Sequence, residues 1–231
     1  MNSTCLRFLA APVVALAFSS CAQSSWSEAQ KSQLSTVSLS QPVVKAGAMK
    51  PVSGIDSPGA SSSVPMATGG GIIPALIGTA IDAGVTAHQK SEFEKQYGQQ
   101  LEKLNASLPK SLDKKLRASA EKMLRGDEFF GPRLKDSSPN RFSGELVTYG
   151  LMRFHRTNDE THLGASLSVQ VKLTDASGKT LFEQPVIGRS TNSIAVGELA
   201  AQPKKVDALF DEAAANFALQ LKSALDRKLN R

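Results

Sequence analysis

Residues 161–175 alternate without interruption. Leu163, Ala165, Leu167, Val169, Val171 and Leu173 are apolar, and Gly164, Ser166, Ser168, Gln170 and Lys172 stand between them. A period of two places the apolar set on one face of a strand. Residues 145–156 read as the strand before it. A two-residue turn at Asn158-Asp159 would pair Phe154 with Leu163, Met152 with Ala165 and Leu146 with Val171, all on one face. Asp175-Ala176-Ser177-Gly178 has the Asp-first, Gly-last signature of a type I turn. It leads to a third strand over 179–189, for which two registers are open.

Elsewhere the apolar period is helical. Leu108, Leu112, Leu116 and Ala120 recur every four residues, with Met123 and Leu124 closing the stripe and Gly126 ending it at C′. A long helix runs from Pro203, at its first position, to about Leu229. Its stripe is Val206, Leu209, Phe210, Ala213, Phe217, Leu221, Leu225 and Leu229. An earlier helix starts at the glycines of 69–71, is apolar over 72–85, and becomes charged towards Leu104. Before it, 36–44 alternates as a short strand, with Val37, Leu39 and Val43 on one face, and 45–71 is a Gly/Ser/Pro-rich loop expected to be mobile. Phe129 and Phe130 lie in an irregular stretch, 127–143, and are candidates to dock on the core.

The order of elements predicts an α+β fold. It has a short N-terminal strand, two helices, a three-stranded antiparallel meander, and a long C-terminal amphipathic helix packed on one sheet face. A strand with four residues per side reaches only about 25 Å, whereas the last helix runs to about 40 Å. Leu221, Leu225 and Leu229 are therefore expected either to meet the 108–124 helix or to stay partly open. Left open, they would form a partner or dimer surface.

The N-terminus follows another rule. After Arg7, residues 8–18 are an apolar run, followed by Ser19, Ser20, Cys21 and Ala22. The run has the length of a signal-peptide core and is too short to span a bilayer. Phe18-Ser19-Ser20-Cys21 resembles a bacterial lipobox, where small residues precede a cysteine that is lipidated and becomes residue one. Phe18 departs from the leucine usual at that place. The resemblance divides the chain into a signal peptide (1–20), a polar tether (21–35) and a single domain (36–231), with Cys21 as the lipidation site. It implies an anchor in the outer membrane, facing the periplasm, because Ala22 is not the aspartate that retains such proteins at the inner membrane. Ordinary cleavage after Ala22 is the alternative reading.

Composition narrows the function classes. The 231 residues are 41% hydrophobic and 21% charged, enough to build a core. The two cysteines, Cys5 and Cys21, cannot form a disulfide scaffold or a Cys-ligated zinc site. The net charge of +6 falls to +5 when Arg7 leaves with the signal. That excess suits anionic headgroups and is too scattered for a nucleic-acid stripe.

Catalytic motifs are sparse. There is no His-Glu-x-x-His and no Gly-x-Ser-x-Gly. Gly178-Lys179-Thr180 echoes the end of a phosphate loop, but Leu173 stands where its first glycine belongs, so the tripeptide reads as a hairpin turn. The hairpin register sets His155 opposite His162, a pair able to ligate a metal only if a third ligand joined them; no metal and no cofactor is expected. The order of elements is similar to that of small α+β envelope lipoproteins and the amino-terminal domain of the Tol-system propeller protein. That likeness implies a non-enzymatic accessory protein binding other envelope proteins, with 179–189 as a sheet edge open to strand addition. Two alternatives are a membrane-active oligomer inserting 72–85, whose glycines at 71, 78 and 84 are spaced for close helix packing, and a soluble periplasmic or secreted enzyme.

Overall fold

The computed structural model describes residues 25–50, 95–157 and 160–231, and of 154–157 and 160 the backbone alone. Cys21, the lipobox-like segment, the loop over 51–71 and the apolar stretch 72–85 lie outside the described residues.

The sheet is built on the predicted meander. Strands β3 (Arg141–Thr157), β4 (Glu160–Thr174) and β5 (Thr180–Arg189) pair antiparallel in chain order. The β4–β5 turn closes as expected. The Asp175 carboxylate accepts from the backbone of Ser177 and Lys179, and Gly178 takes φ +83°, which a glycine adopts without strain. Leu173 pairs with Phe182 and Val169 with Val186, which settles the second register.

The first register is right at the tip and wrong below it. His155 does face His162, but Leu146 pairs with Val169, not Val171, and Ala165 with Leu151, not Met152. Between Arg153 and His155, and again between Leu146 and Thr148, the pairing slips by one residue. Each slip puts one extra residue, Phe154 or Val147, into β3 as a β-bulge. The inward face of β3 therefore changes parity, from Phe142 and Leu146 to Tyr149 and Leu151, all buried.

The predicted N-terminal strand is two short pieces, β1 (Ser38–Leu39) and β2 (Val43–Val44), laid parallel along β3. Ser40, Gln41 and Pro42 part them, and Val43 is exposed rather than sharing a buried face with Val37. The pairing continues beyond: Lys45 N donates to Leu146 O, and Lys50 N to Tyr149 O. Residues 45–50 are thus bonded to the sheet edge and are not part of a mobile loop.

All of the long helices contribute to one core. A helix over 95–107 (α2) contributes Tyr97, Leu101 and Leu104. The next, α3 (Leu112–Arg125), buries Leu112, Leu116, Ala120 and Leu124 of the predicted stripe, while Leu108 is buried in the turn before the helix and Met123 is half-buried. Gly126 caps it at φ −82°, in the right-handed region and not at a left-handed C′. Phe130 is fully buried and stacks edge-on to Phe142 at 5.4 Å. The C-terminal helix, which follows a short helix α4 (Val196–Ala201), is α5 (Lys204–Leu229). Pro203 is its N-cap, one position before the helix proper.

Helix α5 packs on β4 and β5 and against α3. It crosses β5 at Gly188, where a Cβ would stand 2.2 Å from Ala213 O and 2.8 Å from Phe217 Cβ. Two of the three nearest atoms are α5 backbone, which cannot yield locally. Gly188→Ala is expected to cost about 2–3 kcal/mol by overpacking, read as a lowered denaturation midpoint. Gly197→Ala, with nothing within 4 Å, is the neutral comparison.

Candidate functional site

Leu221, Leu225 and Leu229, expected as a partner surface if left open, are buried at 2%, 2% and 6% exposure. The reason is strand length. β3 has 17 residues and β4 has 15, so the sheet extends about 50 Å and matches the 26-residue helix, which spans about 39 Å. Leu221 shares one cleft with Leu116 and Ala120 of α3 and with Phe142, Val169 and Val171 of the sheet. The stripe is core along its whole length, and the partner-surface expectation is corrected.

The segment read as a tether supplies part of the cover at that end. Trp26 is 4% exposed and Leu34 fully buried. The Trp26 backbone N–H donates to Lys228 O at 2.7 Å, and its indole Nε1–H donates to Leu181 O at 3.0 Å. Its ring meets Phe130 edge-on at 6.3 Å. A short helix α1 (Glu28–Gln33) follows at once. Ser27 and Gln30 cap it reciprocally: Ser27 Oγ accepts from Gln30 N, and Gln30 Oε1 accepts from Ser27 N. The folded unit therefore includes Trp26 and Leu34, which lie inside the segment 21–35 read from the sequence as a tether. The Ser27-x-x-Gln30 capping box was a readable signal of this, and so was a lone tryptophan in an otherwise polar stretch.

The same end of the molecule gathers the 126–133 turn and the last turn of α5. Asp127, 3% exposed at its side chain, accepts from the N–H of Phe129 and Phe130 and pairs with Arg231 at 2.9 Å. Arg133 lies over the Phe129 ring at 4.1 Å and donates to Phe129 O. Lys31, Glu128, Phe129, Arg133, Leu229 and Arg231 line one open depression of about 310 Å³.

Strand β5 forms one edge of the sheet among the described residues, as expected, but the edge is blunted. Ser190 N bonds Ala165 O, so the even-numbered residues face β4 and the odd ones face outward. Of the outward groups, Leu181 O accepts from Trp26 and Arg189 O from Asn216 Nδ2. Between them Pro185 has no N–H to offer. A proline and occupied ends are devices that discourage strand addition. Past Ser190 the chain loops out, with Glu212 accepting from the backbone N–H of Thr191 and Asn192. It returns to β4 as β6 (Ile194–Ala195).

The groups with displaced pKa values lie on separate elements. Burial draws the Lys115 ammonium down, but its bonds to Asp211 and Asp207 outweigh burial and leave it raised. These bonds tie α3 to α5. Asp175 is held low chiefly by the Ser177 hydroxyl, and Tyr149 is raised by burial beside Phe210. Among the described residues, no three His, Cys, Asp or Glu side chains are grouped to hold a metal, and no helix is long and apolar enough to cross a membrane.

No protein-family model matches the chain, and no curated protein matches it. Among solved structures, it is similar to a minor lipoprotein from Acinetobacter baumannii, with 16% identity and a TM-score of 0.38 over 54% of this chain and 90% of that one.

Proposed function

We propose that the protein is a lipid-anchored, non-enzymatic component of the bacterial cell envelope, held in the outer membrane through Cys21 and acting by binding other envelope proteins. The observation that carries this reading is the segment running from Phe8 to Cys21: an apolar run of signal-peptide length, two serines, and a cysteine. Trp26 supports it, because the folded domain starts a few residues after that cysteine, as expected of a domain held at a membrane surface. The mature chain would carry no free thiol, with Cys5 removed and Cys21 acylated. A diacyl or triacyl anchor holds stably, at about 0.8 kcal/mol per buried methylene.

Radiolabelled palmitate is expected to enter the wild-type protein and to be lost in Cys21→Ser, with the variant leaving the membrane fraction. Label that persists in the variant, or a variant that stays membrane-bound, contradicts the anchor. Capture from detergent-solubilised envelopes with the intact lipoprotein as bait tests the binding role.

A further inference from the structure

We infer that the Trp26 end of the domain stands against the lipid headgroups, with the sheet end-on to the membrane and the β3–β4 hairpin directed away from it. The inference rests on Cys21 being the anchor, as proposed above. Its first ground is reach. Trp26 lies five positions after Cys21, at most about 18 Å of extended chain. Trp26 cannot lengthen that span, because its backbone and indole N–H groups are both bonded to the domain, to Lys228 O and Leu181 O.

The second ground is where Trp26 sits along the sheet. Leu181 adjoins Phe182, which pairs with Leu173, and Leu173 pairs with Phe142. This is the low end of the meander, shared by the 175–179 turn and the close of α5. The pair His155 and His162 marks the other end. Leu173 and His162 are eleven residues apart on β4, about 36 Å. Bringing that far end to the bilayer in place of Trp26 would need about twice the available reach.

The third ground is the chemistry of the near end. Arg227 and Lys228 close α5, Lys179 lies two residues before Leu181, and Arg133 borders the depression beside Leu229. Glu28 and Glu128 sit among them, so charge contributes modestly and reach sets the contact. The occupant of this surface is the membrane that carries the protein's own anchor.

The test uses the intact lipoprotein, in which acylated Cys21 leaves no reactive thiol, so that an introduced cysteine can be labelled alone. Ala176→Cys places a fluorophore in the 175–179 turn at the near end. Gly197→Cys places it on α4, beside β6 and His162, at the far end. Both sites are exposed. Each protein is reconstituted into phosphatidylglycerol-containing vesicles whose headgroups carry an energy acceptor. Transfer from position 176 is expected to exceed transfer from position 197 by at least threefold. Equal transfer, or the reverse order, overturns the end-on placement while leaving the anchor intact. Wild-type protein whose Cys21 takes up the thiol dye overturns the anchor itself, and the placement with it.

Discussion

Leu225→Asp is expected to unfold the domain. Leu225 is 2% exposed on the buried stripe of α5, between Leu221 and Leu229. An aspartate there loses the apolar contacts of the leucine and buries a carboxyl with no partner supplied by the fold. A lost core side chain and a buried polar group each destabilise by several kcal/mol, and together they amount to on the order of 5 kcal/mol or more. Domain stability is commonly about 5–15 kcal/mol, so the change removes much or all of it. Leu219→Asp is the matched comparison: it sits on the same helix, but Leu219 is 58% exposed. Thermal melts followed by circular dichroism should show little or no cooperative transition for Leu225→Asp and a nearly unchanged one for Leu219→Asp. Similar melts for the two would mean that the stripe is not core.

The second large effect is expected at Trp26. Truncating a buried tryptophan to alanine costs about 3–5 kcal/mol. Trp26→Ala also strips the donor from Leu181 O, leaving that carbonyl on an open sheet edge. Trp26→Phe keeps most of the buried surface and loses only the indole bond, a net loss of about 1 kcal/mol beyond the change in packing. The ordering of denaturant midpoints should be wild type, then Phe, then Ala, with Ala far below. Because Trp26 is the sole tryptophan, circular dichroism must follow the variants. A midpoint for Trp26→Ala close to that of wild type would mean that the segment before residue 36 is a tether after all.

Much of the fold was legible where the pattern was local. The alternation from Leu163 to Leu173 is β4, the four-residue spacing from Leu112 to Leu124 is α3, and the stripe from Val206 to Leu229 is α5. The first hairpin's register was legible only near the tip, where His155 faces His162. Below it, apolar residues stand at both parities of β3 (Leu146 and Val147, Leu151 and Met152), so the pattern could not reveal the bulges. The cover over Leu229 was illegible for a different reason. It depends on contacts between Trp26 and Leu181 or Lys228, far apart in the chain, which no local period encodes. β6 is two residues long and was missed because so short a segment carries no alternation. The partner-surface expectation failed on the reach assigned to the strands: the 15 residues of β4 alone span about 50 Å, and β3 begins at Arg141, four residues before the alternation suggested.

The central claim is that the mature chain begins at an acylated Cys21, five residues before the domain is fixed at Trp26. Mass spectrometry of the N-terminal peptide, from protein extracted from its native envelope, tests this most directly. The account predicts a peptide whose first residue is Cys21, carrying the added mass of a diacylglyceryl group, with or without an amide-linked acyl chain. An unmodified peptide beginning at Gln23, or one that retains residues 1–20, would contradict it.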